Sequence, residues 1–245
     1  MPIQVFKATV SRVCDLTHDV REIDLTLTEP LRIDFKAGQF ISFEVMPAGA
    51  ARPLVRPYSI ASPPSRSGIV TLLFNLVPNG PGSTYLFSLR TGDSVSFKGT
   101  AGHFYLRGDL SRHHLFVATG TGIAPVRSML LHLLEGTAHP PTVLYWGLRS
   151  RRDLYYLDEL EALSRAHPHF QYLIALSRPD EAWTGETGRV TKLVEERVQS
   201  VANLTVYLCG NSGMINEVTG LLNKVGLCPI YREKYYDDKG EEAGY

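Results

Sequence analysis

The sequence predicts two domains in series: an antiparallel β-barrel, then an α/β domain built on a parallel sheet. Three observations predict it. The 245 residues are too many for one small domain and suit two of ~120 each. Residues 3 to about 100 contain runs in which apolar and polar side chains alternate between Gly and Pro punctuation, the pattern of strands with one buried face. The rest of the chain alternates apolar strand-like runs with helical segments, which implies parallel strands with ligands at their C-terminal ends.

In the first half, Thr9–Val13, Val20–Leu27 and Phe40–Val45 read as strands, and Lys36-Ala37-Gly38-Gln39 as the turn feeding the third. Val70–Val77 reads as a strand beside Arg56–Ser62. Asn79-Gly80-Pro81-Gly82-Ser83-Thr84 frees the backbone ahead of a short helix at Tyr85–Leu89, which Ser83 or Thr84 can cap. Thr91–Val95 and Lys98–Gly102 read as turns closing the barrel. Polar Asp109-Leu110-Ser111-Arg112 marks the boundary, giving a barrel domain of residues 1–109, an α/β domain of 110–234 and a polar tail of 235–245.

The second half opens with an apolar strand at His114–Ala118. Thr119-Gly120-Thr121-Gly122-Ile123-Ala124-Pro125 follows, then a helix over Val126–Leu134 with Pro125 in its first turn. Strand, glycine turn and helix together cradle phosphate. Further strands are predicted at Val143–Gly147, Tyr172–Leu176 and Leu204–Leu208, and helices at Leu154–Arg165, Val190–Val198 and Gly213–Val225. Ser177, Arg178 and Cys209-Gly210-Asn211 then fall at strand ends.

The densest chemistry lies in Arg56-Pro57-Tyr58-Ser59-Ile60-Ala61-Ser62. Alternation along a strand points Arg56 and Tyr58 the same way and Ser59 the other. A planar heterocycle with a phosphate tail needs such a set: an aromatic face, a hydroxyl for a ring nitrogen and a cation for the phosphate. An edge strand with ordinary surface residues is the plainer alternative. The Gly82 turn follows a strand expected beside Arg56, so two anion-binding elements converge there.

These residues resemble the ferredoxin–NADP reductase family over nearly the whole chain. Arg56-Pro57-Tyr58-Ser59 looks like its flavin motif, and Gly82-Ser83-Thr84 like its flavin-pyrophosphate turn. Gly120-Thr121-Gly122-Ile123-Ala124-Pro125 resembles its nicotinamide-nucleotide turn. Cys209-Gly210-Asn211, with Met214 after it, resembles its nicotinamide-side motif, and Glu233-Lys234-Tyr235 its Glu-x-Tyr. The resemblance implies a barrel that binds FAD through Arg56, Pro57, Tyr58, Ser59, Asn75, Val77, Gly82, Ser83 and Thr84. It implies a nucleotide domain that uses Thr121, Gly122, Pro125, Arg149, Ser177, Arg178, Arg189, Gly210, Asn211 and Met214. Ser59, Cys209 and Glu233 are the implied catalytic residues. Tyr235, Tyr236 or Tyr245 is the implied aromatic cover on the flavin. The implied activity is electron transfer between NADP(H) and a one-electron carrier, ferredoxin or flavodoxin.

A 2′-phosphate needs a cation and hydroxyl donors, which Ser177-Arg178 and Arg189 offer, so NADPH is expected over NADH. Asp180 and Glu181 stand against that choice. Two other functions stay open: an NAD(P)H-dependent flavin reductase or oxygenase reductase component, and a non-catalytic electron-transfer or regulatory subunit. Zero formal net charge gives no sign of a nucleic-acid partner. Three scattered cysteines form no ligand cluster, so no metal site is expected. That low, odd count and the lack of an apolar stretch of ~20 residues give the expectation of a cytoplasmic protein with no membrane insertion.

Overall fold

The computed structural model describes residues 4–47, 49–137 and 139–236, Tyr236 in its backbone only. Most of the expected tail, Tyr245 included, lies outside the described residues. The chain divides into two units, one up to Leu106 together with Arg127–His132, the other Arg107–Val126 together with the chain from Leu133 on.

The first unit holds β1 (Val5–Asp15), β2 (Val20–Glu29), β3 (Phe40–Val45), β4 (Leu54–Ser59) and β5 (Ile69–Asn75). Helix α1 (Pro81–Ser88) and β6 (Ser94–Ala101) complete it. Among the described residues the strands form one antiparallel sheet in the order β4-β3-β6-β1-β2-β5. Alternation does what the sequence promised: in β3, Ile41, Phe43 and Val45 are buried while Glu44 faces out. Inward side chains pool into a core that includes Phe6, Leu25, Ile41, Phe43, Leu72 and Phe97.

Two expectations need correction here. The sheet neighbour of β4 is β3, not β5, with Arg56 opposite Phe43 and Tyr58 opposite Ile41. Strand β4 meets β5 through the Tyr58 and Phe74 side chains, and the stretch just past β4 pairs with β5 as expected, through a bridge between Ile60 and Leu72 and a 2.8 Å bond from Ala61 N to Thr71 O, which closes the ring. Residues 94–101 are a strand rather than turns. Gly99 made this stretch look like a turn, but its missing side chain serves close approach, because a Cβ there would sit 2.9 Å from Ile41 Cγ2. Val95 and Phe97 on either side of Ser96 are buried.

The second unit is a parallel sheet with helical crossovers: β7 (His113–Thr119), α2 (Ile123–Leu134), β8 (Thr142–Leu148), α3 (Leu157–Ala166), β9 (Phe170–Leu176), β10 (Glu186–Thr187), α4 (Val190–Arg197), β11 (Leu204–Asn211), α5 (Ser212–Val225) and β12 (Ile230–Tyr236). The order is β10-β9-β8-β7-β11-β12. Leu193, Val194, Ile215 and Val218 from α4 and α5 pack on Val117, Val206 and Leu208 of the central strands.

Helix α2 begins three residues earlier than expected, because a single 3₁₀ turn at Gly120–Gly122 runs straight into it. Helix α3 begins three residues later than expected. Arg151–Asp153 is a separate 3₁₀ turn, closed by a reciprocal Ser150–Asp153 capping box. The sequence reading did not anticipate β10 or β12. No helix among the described residues is long and apolar enough to cross a membrane.

Candidate active site

In the first unit, strand β4 and the start of α1 bring one predicted set together. Pairing with β3 fixes Arg56 and Tyr58 on one face of β4. Tyr58 is held edge-on by Phe43 at 6.0 Å and by Phe74 at 5.8 Å. Gly82 lies against both motif side chains: a Cβ on it would come within 2.5 Å of Tyr58 Oη and 2.9 Å of Arg56 Cγ. Only a glycine lets the helix start approach the Arg56 stem and the Tyr58 phenol this closely.

Ser83 and Thr84 do not cap that helix. Its N-cap is Gly80, without a side-chain cap, and Pro81 takes the first position. Ser83 Oγ turns back on the preceding loop instead, accepting from Val77 N at 3.0 Å and donating to Gly80 O at 3.2 Å. Thr84 is exposed and donates its N–H to Gly80 O at 3.0 Å. With Pro81 lacking an N–H, the amides of Gly82 and Ser83 are left outside the helical ladder. Ser59 is buried at the end of β4, after half-buried Pro57. Asn75 ends β5, opposite Val20.

In the second unit, the two nucleotide motifs interlock across the neighbouring strands β7 and β11. A Cβ on Gly122 would meet Cys209 O at 2.5 Å and Gly210 Cα at 2.8 Å. Gly210 has φ +131, and a Cβ on it would meet Thr119 Oγ1 at 2.2 Å. That hydroxyl accepts from Asn211 N at 3.0 Å. Asn211 then caps α5, its Oδ1 accepting from Met214 N at 3.3 Å. Thr121, Pro125 and Met214 are buried around this junction.

Strand β12 supplies the carboxylate. Its parallel register sets Glu233 opposite Cys209, and Glu233 is only 7% exposed. Burial pushes the Cys209 thiol well above its usual pKa, the Glu233 charge adds to this, and the Tyr235 hydroxyl opposes it. Cys209 is therefore a neutral thiol beside a carboxylate.

The arginines gather at the same C-terminal edge of the sheet. Thr187 pairs with Leu176, so Arg178 and Arg189, each two residues on, leave the sheet side by side. Arg178 N donates to Arg149 O at 2.7 Å, which brings in a third exposed guanidinium. Ser177 is exposed between them. Of the two acids that weighed against a phosphate here, Glu181 is exposed and Asp180 is ion-paired with Arg151, whose Nη1 lies 3.3 Å from both carboxylate oxygens.

Comparison with known proteins decides what these sites belong to. An oxidoreductase FAD-binding domain family matches residues 7–105, and an oxidoreductase NAD-binding domain family matches 116–220. Ferredoxin–NADP reductase B of Sorangium cellulosum is 34% identical over 223 residues, spanning 88% of this chain and 90% of the relative. The chain belongs to the ferredoxin–NADP reductase family. A Ralstonia relative, the ferredoxin–NAD(P)(+) reductase component of naphthalene 1,2-dioxygenase/salicylate 5-hydroxylase systems, is 32% identical over 96% of this chain and 70% of its own length. Among solved structures, an Amycolatopsis cytochrome P450 reductase superposes with a TM-score of 0.85 at 28% identity, over 95% of this chain and 70% of that one. A Neisseria gonorrhoeae ferredoxin–NADP reductase shares the fold, with a TM-score of 0.80 at 21% identity over 94% and 98% of the two chains.

As a family member the chain is a flavoprotein oxidoreductase that moves electrons, with an FAD-binding barrel and a nicotinamide-nucleotide-binding α/β domain. The residues present suit both groups. The cradle at Gly82, which a Cβ would fill, sets the Arg56 stem and the Tyr58 hydroxyl against a helix start. The Gly122–Gly210 junction opens onto a helix start. Sequence reasoning missed the residues that set the Gly120 turn. Trp146 Nε1 and Tyr155 Oη both donate to Gly120 O, at 3.0 and 3.1 Å, and hold its φ of +52. Neither belongs to a motif, and they act from 26 and 35 residues away.

Proposed function

We propose that this reductase carries electrons between NADPH and a ferredoxin or flavodoxin, with FAD as the relay. When bound, the flavin takes a hydride from the nicotinamide and releases electrons singly, which is the reason such a protein serves one-electron carriers. The chain's own part is to hold and orient. Arg56 offers its charge to the flavin pyrophosphate, the Gly82 and Ser83 amides add donors, and Tyr58 offers its ring. Ser59 is assigned a hydrogen bond near the reacting flavin nitrogen. Cys209 and Glu233 shape the nicotinamide pocket, and Tyr235 is assigned as the aromatic cover.

The choice of NADPH rests on one observation: Arg178, Arg189 and Arg149 follow the C-terminal ends of neighbouring strands, and Asp180, one of the two acids beside them, is paired with Arg151. Three relatives at 31–32% identity that are named as reductase components of dioxygenase or monooxygenase systems favour a second reading, in which the carrier serves an oxygenase. The three cysteines are unbridged, which supports a cytoplasmic setting.

The test is an absorbance spectrum of the purified protein, followed by anaerobic titration with NADPH and NADH. The expected result is a flavin spectrum bleached by NADPH at lower concentration than by NADH, then carrier-dependent cytochrome reduction on adding ferredoxin or flavodoxin. A protein that stays oxidised with both nucleotides overturns the catalytic reading. Preference for NADH, with turnover only on free flavin or through an oxygenase, supports the second reading. Replacing both Arg178 and Arg189 with Ala should cut the NADPH preference by tens of fold, at ~1.5–3 kcal/mol per charge-assisted contact.

A further inference from the structure

We infer that Arg151 sets coenzyme selectivity without touching the coenzyme, by masking the charge of Asp180; this rests on the NADPH reading above. Three facts carry it. Asp180 stands two residues from Arg178 in the loop after β9, where an open carboxylate would repel a phosphate dianion. Its carboxylate is fixed in place, with Oδ1 accepting from Ala182 N at 3.2 Å and both oxygens 3.3 Å from Arg151 Nη1. Arg151 is itself held on a rigid base. Its 3₁₀ turn is closed by Ser150 N and Oγ, which donate to Asp153 Oδ2 at 2.8 and 2.7 Å. The base and the loop are further joined by Ser177 N to Leu148 O at 3.0 Å and Arg178 N to Arg149 O at 2.7 Å.

While Arg151 pairs with Asp180, the carboxylate two residues from Arg178 has its charge offset. An exposed pair of this kind adds little to stability, since its side chains are 47% and 58% exposed. Its consequence lies in the local field. At the spacing of neighbouring surface side chains, repulsion between one unmasked carboxylate and a phosphate dianion weakens binding roughly five- to tenfold in water. NADH has no phosphate at that position and is indifferent to the pair.

The test is a double-variant cycle on the flavin-loaded protein with Arg151→Ala, Asp180→Ala and the two combined. Calorimetry compares adenosine 2′,5′-bisphosphate with 5′-AMP, and steady-state kcat/KM compares NADPH with NADH. Wild-type protein that binds the bisphosphate no better than AMP overturns the NADPH reading itself. Given that preference, Arg151→Ala should lower the bisphosphate-to-AMP ratio five- to tenfold. Asp180→Ala alone should raise it, because the Arg151 charge is then unpaired, and the combined variant should return to within about twofold of wild type. A combined variant as poor as Arg151→Ala would mean that Arg151 binds the phosphate directly, and an unchanged ratio in Arg151→Ala would mean that Asp180 is not felt. Either result overturns the inference.

Discussion

Replacing Gly82 with Ala separates flavin binding from helix stability, because the two respond in opposite directions. The new Cβ would lie 2.5 Å from Tyr58 Oη and 2.9 and 3.0 Å from Arg56 Cγ and Cβ. Neither neighbour yields easily. The Tyr58 ring is gripped between Phe43 and Phe74, and Arg56 Cβ is bonded to a backbone paired with β3. Overpacking of this kind costs about 1–3 kcal/mol. At 1.4 kcal/mol per decade, a displacement of that cost carried into the flavin site weakens binding roughly 5- to 150-fold. Ala in place of a helical Gly returns ~0.8–1 kcal/mol to the helix. Unfolding by urea should therefore show a net loss of about 0–2 kcal/mol, while titration of the apoprotein with FAD, followed by flavin fluorescence, shows the loss of binding. A variant whose FAD Kd stays within about twofold of wild type would refute the view that close approach at Gly82 builds the site.

Three other perturbations probe separate parts of the molecule. Gly122→Ala forces a Cβ between the backbone atoms of Cys209 and Gly210; KM for the nicotinamide nucleotide should rise about tenfold or more with flavin content unchanged, and unchanged kinetics would mean that the junction is not at the nucleotide. Burial raises the pKa of Asp24, but Arg12 Nε at 2.8 Å and Thr71 Oγ1 at 2.6 Å outweigh it and hold the carboxyl below its usual range. Its stabilisation is thus present above the unfolded value of ~3.9 and lost as pH falls through the lower folded value, so Asp24→Asn should cost roughly 1–3 kcal/mol at pH 7 and progressively less below about pH 4; urea curves showing the same gap at both pH values would contradict this. Cys209 is fully buried with its thiol pushed up, so a thiol reagent should label it only on unfolding, and rapid labelling of Cys209 in the folded protein, read by peptide mass, would count against its placement.

Side-chain alternation and glycine turns made the two architectures legible, because both are local signals. What escaped was non-local. Strand β6 was hidden because Lys98-Gly99-Thr100 has the composition of a turn, and Gly99 discloses its purpose only against Ile41. Strand β12 carries Arg232, Glu233 and Lys234 at the sheet edge, where one side is unpaired and few apolar residues are needed. The candidate residues were found by motif, yet the groups that shape them were not. Thr119, Trp146 and Tyr155 act through single hydrogen bonds across long sequence separations, for which no periodicity exists. Asp180 counted as a repulsive charge in the sequence, and only the fold shows its arginine partner.

The interlock of the nucleotide turn with β11 has a consequence for how the molecule is made. Thr119 and Asn211 meet across 92 residues, so the turn is not a self-contained strand–turn–helix module that can take shape alone. Closing so long a loop is an entropic toll that local contacts do not offset, and such pairings form late. On the ribosome, where the chain emerges from its N-terminus, Gly120 can be held by Trp146 and Tyr155 first, while Thr119 and Gly122 must wait for β11. A fragment ending before β11 would contain every residue of the first glycine motif and only part of its restraint. The barrel's strands all lie within the first 101 residues, so their pairing does not depend on so late a contact.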